Sequence, residues 1–393
     1  MKGFKFAGIC AGIKKSRTLD LGLIYSEKPV SAAALFTKNQ VVAAPVILGK
    51  KTMEKGMLQA ILVNSGNANC FTGEQGIADA QKCVGFVAKA LKVDPEHVLV
   101  SSTGVIGAPL PVDKIEAKIP EAVRSFDHCT IVDFATAILT TDTCTKMVSR
   151  NATINTSGEE KRITVMGVAK GSGMIRPDMA TMLAYVFTDA DISSSLLKKA
   201  LTHAGDRSFN RITVDGDTST NDTLVCMANG ESQAVIDDDE SLGTFQAVLD
   251  EVCYELAKRV VKDGEGATKV ASITVKGAVN QDDAFAAAEA IAHSPLVKTA
   301  IYGQDPNWGR ITAAAGRSGA RVDQDKMDLY FGDVRLVQKG LWLGKEAEKE
   351  AAEIMKQPEI DIVLDLNLGD GQDQFLFCDF SENYVKINAD YRS

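Results

Sequence analysis

Lys170-Gly171-Ser172-Gly173-Met174-Ile175-Arg176-Pro177-Asp178-Met179-Ala180-Thr181-Met182-Leu183 joins two strand-like runs, Arg162 to Ala169 and Met182 to Thr188. It sets a threonine at the head of the second run. Gly171 and Gly173 permit backbone angles closed to other residues, and Pro177 stiffens the chain just before Thr181. A threonine hydroxyl is a poor nucleophile because its pKa lies far above neutral. It is activated when the threonine is N-terminal, since its own α-amine, with a pKa of about 8, then serves as general base. An internal threonine gains that amine only if the chain is cut before it. Two plainer readings exist. One is a Gly-rich loop with Thr181 as an ordinary strand residue, and the other is a phosphate-cradling loop. The second is weakened because a strand, not a helix, follows the glycines.

Outward from this stretch, β-rich runs alternate with amphipathic helical spacing, the pattern of a mixed α/β protein. Gln59 to Val63 reads as a buried strand ending in a polar turn at Asn64-Ser65-Gly66-Asn67. Ile77, Ala80, Val84, Val87 and Leu91 recur at helical spacing. His97 to Ser101 is a strand leading into Thr103-Gly104, and Asp133 to Leu139 is a short apolar helix ending near Thr140-Thr141-Asp142-Thr143. Leu242, Phe245, Leu249, Val252 and Leu256 line another helix, with Asp237-Asp238-Asp239-Glu240 at its start, where negative charge suits the dipole. Asp282 is the expected cap of an Ala-rich helix reaching Ala292. Ile360, Ile362 and Leu364 alternate with Asp361, Val363 and Asp365 in a strand with one wet face.

The 393 residues exceed one ordinary core and suggest two domains or one large layered unit. A net charge of −9 without a basic block argues against nucleic acid and anionic membrane surfaces as partners. No run of eighteen apolar residues and no secretory leader are evident, so a cytoplasmic protein is expected. The eight cysteines are scattered without metal-ligand spacing and read as reduced thiols. Asp215, Asp217 and Asp222 do not have the spacing of a calcium loop, and the four histidines have no neighbours suggesting a triad. No metal is expected.

The fourteen-residue stretch resembles the autoproteolytic site of the ornithine acetyltransferase family, the bifunctional acetyltransferases of arginine biosynthesis. Lys170, Ala180 and Thr181 match position for position, and the likeness extends over essentially the whole chain. The resemblance implies an α/β fold of stacked sheets flanked by helices, similar to the N-terminal-nucleophile hydrolases without sharing their topology. It implies a cut between Ala180 and Thr181, giving an α chain of residues 1–180 and a β chain of residues 181–393 that assemble as α2β2. Thr103 and Gly104 resemble the family's oxyanion hole. Thr143, Lys170, Thr181, Glu265, Asn388 and Ser393 resemble its substrate contacts. One departure is Thr145, where the family usually has proline.

The implied reaction moves an acetyl group from N2-acetylornithine to glutamate through an acetyl-Thr181 ester. It needs no cofactor, and acetyl-CoA stays open as a second donor. Alternatives are a self-processed aminopeptidase or amidase, and a non-catalytic small-molecule binder. Three polar stretches are left without a role: Asn64 to Asn69, Asn210 to Asp222 and Gly303 to Arg310. Each also fits buried polar scaffolding.

Overall fold

A strand covered on both faces needs apolar side chains at nearly every position. In Met57–Asn67, Leu58, Ala60, Ile61, Leu62 and Val63 supply them, and after Met57 burial is almost unbroken, polar residues included. In the computed structural model, which describes residues 1–156, 158–176 and 182–390, this strand lies inside an eight-stranded sheet. Ser157, residues 177–181 and residues 391–393 lie outside the described residues. Ala60 and Leu62 point into one hydrophobic cluster, with Ala80, Val87, Ile115 and Ile119. Ile61 and Val63 point into the other, with Phe134, Tyr185 and Phe187. The period of two sends alternate side chains to opposite cores.

The chain divides into two compact units. Of the described residues, the first holds Met1–Asn210 and Asp217–Val260, and the second holds Arg211–Gly216 and residues 261–390. In the first unit the sheet runs Val98–Val105, Met57–Asn67, Leu21–Phe36, Thr223–Ala228, Leu183–Thr188, Glu159–Lys170, Lys146–Thr156, and Phe4–Ile9 pairs with Leu21–Phe36. Two neighbouring pairs are parallel, Met57–Asn67 with Val98–Val105 and Leu183–Thr188 with Thr223–Ala228. Parallel neighbours require a crossover. The helices Gly73–Leu91 and Ser194–Arg207 lie in those two connections.

The short helix Ile131–Ala137 is fixed by a capping box between Thr130 and Asp133 and buries Phe134. Its close approach depends on Gly8, where a Cβ would come within 2.1 Å of the Asp133 carbonyl oxygen.

The second unit carries a seven-stranded sheet in the order Leu341–Trp342, Val334–Gln338, Asp328–Phe331, Glu359–Asp365, Val270–Ala278, Gly371–Cys378, Ile212–Thr213. Helix Gln281–Ala292 buries Ala284, Ala287 and Ala288 in the same cluster as Ile273, Val275 and Phe375 of that sheet. Small side chains let helix and sheet backbones approach closely. In Glu359–Asp365, Ile360, Ile362 and Leu364 are buried while Asp361 is exposed, so the one-sided wetting expected from the sequence holds.

Both units are α/β, with helices layered on sheets, as the sequence implies. Two local expectations are corrected. Asn64 to Asn67 does not turn but continues the strand, because distant partners satisfy its polar groups. Ser102 Oγ donates to Asn64 Oδ1 at 2.6 Å, and Ser65 Oγ donates to the Ala137 carbonyl at 2.5 Å. The cap of the Ala-rich helix is Asn280, whose side chain accepts from the Asp283 N–H at 2.8 Å; Asp282 lies in the first turn. Asn280 has the extended backbone a cap requires.

Candidate active site

Strand Glu159–Lys170 ends by delivering the Lys170 side chain into the first unit, where it is 3% exposed. A buried ammonium is costly unless paired and hydrogen-bonded. Its Nζ donates to Thr140 Oγ1 at 2.8 Å, makes a longer bond to Thr103 Oγ1 at 3.4 Å, and lies 3.7 Å from Asp142 Oδ2. The Asp142 side chain is buried as well. Its Oδ1 accepts from Lys146 Nζ at 2.7 Å and from the Gly171 N–H at 2.6 Å, and its Oδ2 accepts from the Thr140 N–H at 3.0 Å. Burial alone would push this carboxyl up. Lys170 and Lys146 outweigh it and hold Asp142 well below the usual carboxylate range. One carboxylate thus sits between two lysines, and one of the lysines reaches Thr103.

Thr103 and Gly104 lie in strand Val98–Val105, not in a turn beyond it. Gly104 has φ +131°, and a Cβ there would meet the Gly66 carbonyl carbon at 2.4 Å. The paired strands therefore approach so closely that only glycine fits. Because Lys170 donates to Thr103 Oγ1, the threonine's own proton is free to be donated elsewhere.

In the second unit, Glu265 is buried between Gly264 and Gly266, and its Oε2 accepts from Asn388 Nδ2 at 2.8 Å. Asn388 also donates to the Tyr384 carbonyl at 3.1 Å within helix Glu382–Asp390. A Cβ at Gly266 would lie 2.5 Å from the Tyr384 N, so that glycine lets the helix start approach the Glu265 turn.

The structure thus brings Lys170 to Thr103 in one unit and Glu265 to Asn388 in the other. Thr143 is exposed beside Asp142. Ala180, Thr181 and Ser393 lie outside the described residues. Sequence reasoning passed over Asp142, Thr140 and Lys146, although all three stand in or beside the stretch quoted for Thr143. Nothing in their spacing reveals that Lys170 is their shared neighbour. The stretch from Gly303 to Arg310 includes a helix cap, with Asn307 Oδ1 accepting from the Arg310 N–H at 3.1 Å.

Residues 5–393 match the profile of the ArgJ family. The chain belongs to the ArgJ family. Curated ArgJ relatives named arginine biosynthesis bifunctional protein align along its whole length. That of Geobacter sulfurreducens is 48% identical over 395 residues, covering 100% of both chains. That of Thermotoga neapolitana is 46% identical over 400 residues, covering 100% of this chain and 99% of the relative. The solved ArgJ structure from Bacillus halodurans is 40% identical, with a TM-score of 0.51, and covers 53% of this chain and 98% of that one. No described helix of this ArgJ-family chain is long and apolar enough to cross a membrane. The described residues contain no cluster of three or more His, Cys, Asp or Glu able to hold a metal.

Proposed function

We propose that the chain cuts itself between Ala180 and Thr181 and then moves acetyl from N2-acetylornithine to glutamate. The observation that carries this reading is the buried, ion-paired Lys170 ammonium reaching Thr103 Oγ1, in a chain aligned end to end with arginine-biosynthesis relatives. In the proposed reaction the Thr181 hydroxyl attacks the acetyl carbonyl and its α-amine takes the hydroxyl proton. The Thr103 hydroxyl and the Gly104 N–H donate to the oxyanion. Ornithine leaves with a proton, and an acetyl ester stays on Thr181. The glutamate α-amine then attacks that ester, releasing N-acetylglutamate and restoring the free hydroxyl. The bond made resembles the bond broken, so no energy source is needed.

Lys170 and Thr143 would hold the carboxylate shared by donor and acceptor. Glu265, with Asn388 and Ser393, would accept the ornithine side-chain ammonium. The same reading makes residues 1–180 and 181–393 the two chains of a cytoplasmic α2β2 assembly and keeps acetyl-CoA as a second donor. The test is incubation with N2-acetylornithine with and without glutamate, beside a denaturing gel with mass measurement. Acetylglutamate formed only when glutamate is present, by a chain in two pieces, is the expected result. Ornithine released equally without glutamate would instead mark an amidase. Thr181→Ala should stay one piece and inactive.

A further inference from the structure

The polar stretch ending at Asp222 packs against both strands that carry the proposed chemistry. Asn221 Nδ2 donates to the carbonyls of Ala68 at 2.7 Å and Ser102 at 2.8 Å, and Ser102 directly precedes Thr103. Asp222 Oδ1 accepts from the Met182 N–H at 2.9 Å, and Met182 directly follows Thr181. Two adjacent side chains therefore fasten the residue before the candidate oxyanion donor and the residue after the candidate nucleophile. The stretch is itself pinned: the Thr37 N–H donates to the Asp222 carbonyl at 3.1 Å, Thr37 Oγ1 to the Ser219 carbonyl at 2.7 Å, and the Ala43 N–H to the Thr220 carbonyl at 3.0 Å.

Asp222 is fully buried, and its second carboxyl oxygen makes no hydrogen bond of good geometry among the described residues, with the Thr37 and Ser219 side chains as its polar neighbours. An uncompensated buried oxygen of this kind costs about 1–3 kcal/mol, so its retention calls for a use. We propose that Asp222 is a positioning residue for Thr181: one oxygen fixes the Thr181–Met182 peptide, and the other receives the α-amine that cleavage creates. This rests on the self-processing reading above. Cleavage adds water across the Ala180–Thr181 amide. The carbonyl carbon becomes the Ala180 carboxylate, and the nitrogen becomes the Thr181 amine. Only Thr181's own Cα and carbonyl carbon separate that amine from the Met182 N–H, so a carboxyl fixed to the one is within reach of the other.

Before the cut there is no amine. Burial then pushes Asp222 well up, against the pull of the Met182 N–H, of Lys170 and of the Thr37 and Ser219 side chains, and so favours its neutral form. After the cut, acid with amine and carboxylate with ammonium are both neutral pairs, and either can be held in a dry site. Lys170 is the charged group that interacts with Asp222 here.

The test is Asp222→Asn, which keeps an acceptor for the Met182 N–H and removes the ionisable oxygen. Without the carboxylate the Thr181 ammonium is less favoured and its pKa falls. The acid limb of the acetyl-transfer rate should move down by about one pH unit, while self-cleavage, which precedes the amine, should proceed because Asn still accepts from the Met182 N–H. A variant that folds but stays uncut, or transfer with an unmoved pH profile, overturns the proposal. If Asp222→Asn does not fold, Asp222→Glu decides. Folded, cleaved protein with an altered profile supports the role, a wild-type profile removes it, and loss of folding in both variants makes Asp222 structural. A wild-type chain that never splits sinks the self-processing reading instead.

Discussion

Lys146, Asp142 and Lys170 form a buried cation–anion–cation row in which each charge is tolerated because of its neighbours. Such a row is weak evidence for stability but strong evidence that no member can be removed alone. Lys146→Met leaves Asp142 with the more distant Lys170 and the Gly171 and Thr140 N–H groups, and global stability should fall by about 3 kcal/mol, the lower end for a broken buried pair. Urea unfolding checks this; a change under about 1 kcal/mol would mean that Lys146 matters little to the row. The depressed Asp142 carboxyl has a pH signature of its own. Its folded pKa lies below the unfolded value of about 3.9, so its contribution is complete above that pH and is lost as pH falls toward the folded value. Asp142→Asn should therefore lower stability at neutral pH, with the gap to wild type narrowing below about pH 4. A gap that stays constant from pH 7 to pH 3 would show that the charge is not what Asp142 contributes.

Single contacts become elements where backbone meets backbone. Helix Ile131–Ala137 lies against strand Phe4–Ile9 with the Asp133 carbonyl in the space a Gly8 side chain would occupy. Gly8→Ala must push the helix outward and disturb Phe134 in the aromatic cluster with Phe6 and Tyr185. Overpacking of this kind costs about 1–3 kcal/mol. A melting temperature equal to wild type would show that the helix moves freely. Neither this contact nor the full row of charges could be read from the sequence, because Gly8 meets Asp133 and Lys170 meets Asp142 across long stretches of chain. The elements themselves were legible wherever one periodicity dominated, as at Ile77 to Leu91 and Ile360 to Leu364. Legibility failed where polar residues are buried: Asn64 to Asn67 looks like a turn until Ser102 and Ala137 are known to satisfy it. At the site, chemistry explains what an N-terminal Thr181 could do, but Thr181, Thr103, Lys170 and Glu265 were all found by resemblance, since a Gly-rich loop, a Thr-Gly or a Glu between glycines reads as ordinary loop or turn.

On the scale of the whole molecule, the proposed cut falls inside one sheet rather than between compact units. Strand Glu159–Lys170 precedes it and pairs antiparallel with Leu183–Thr188, which follows it, from Lys170 opposite Leu183 to Val165 opposite Thr188. Leu21–Phe36 likewise pairs with Thr223–Ala228, from Phe36 opposite Thr223 to Ser31 opposite Ala228. The core follows the same division of labour. Ile24, Leu58 and Phe134 come from before the cut, and Tyr185, Phe187 and Val225 come from after it, all in one cluster. Breaking one peptide bond changes none of these contacts. Separating the pieces would break both pairings, exposing four strand edges and that cluster to water, at about 25 cal/mol for each Å² of apolar surface. The cleaved pieces should therefore elute together from a sizing column in native buffer and part only in denaturant. Each piece alone, returned to native buffer, should aggregate or fail to form its part of the eight-stranded sheet, which lacks its neighbours. Residues 181–393 eluting by themselves without denaturant, with their circular dichroism intact, would show that the shared sheet does not hold the two pieces together.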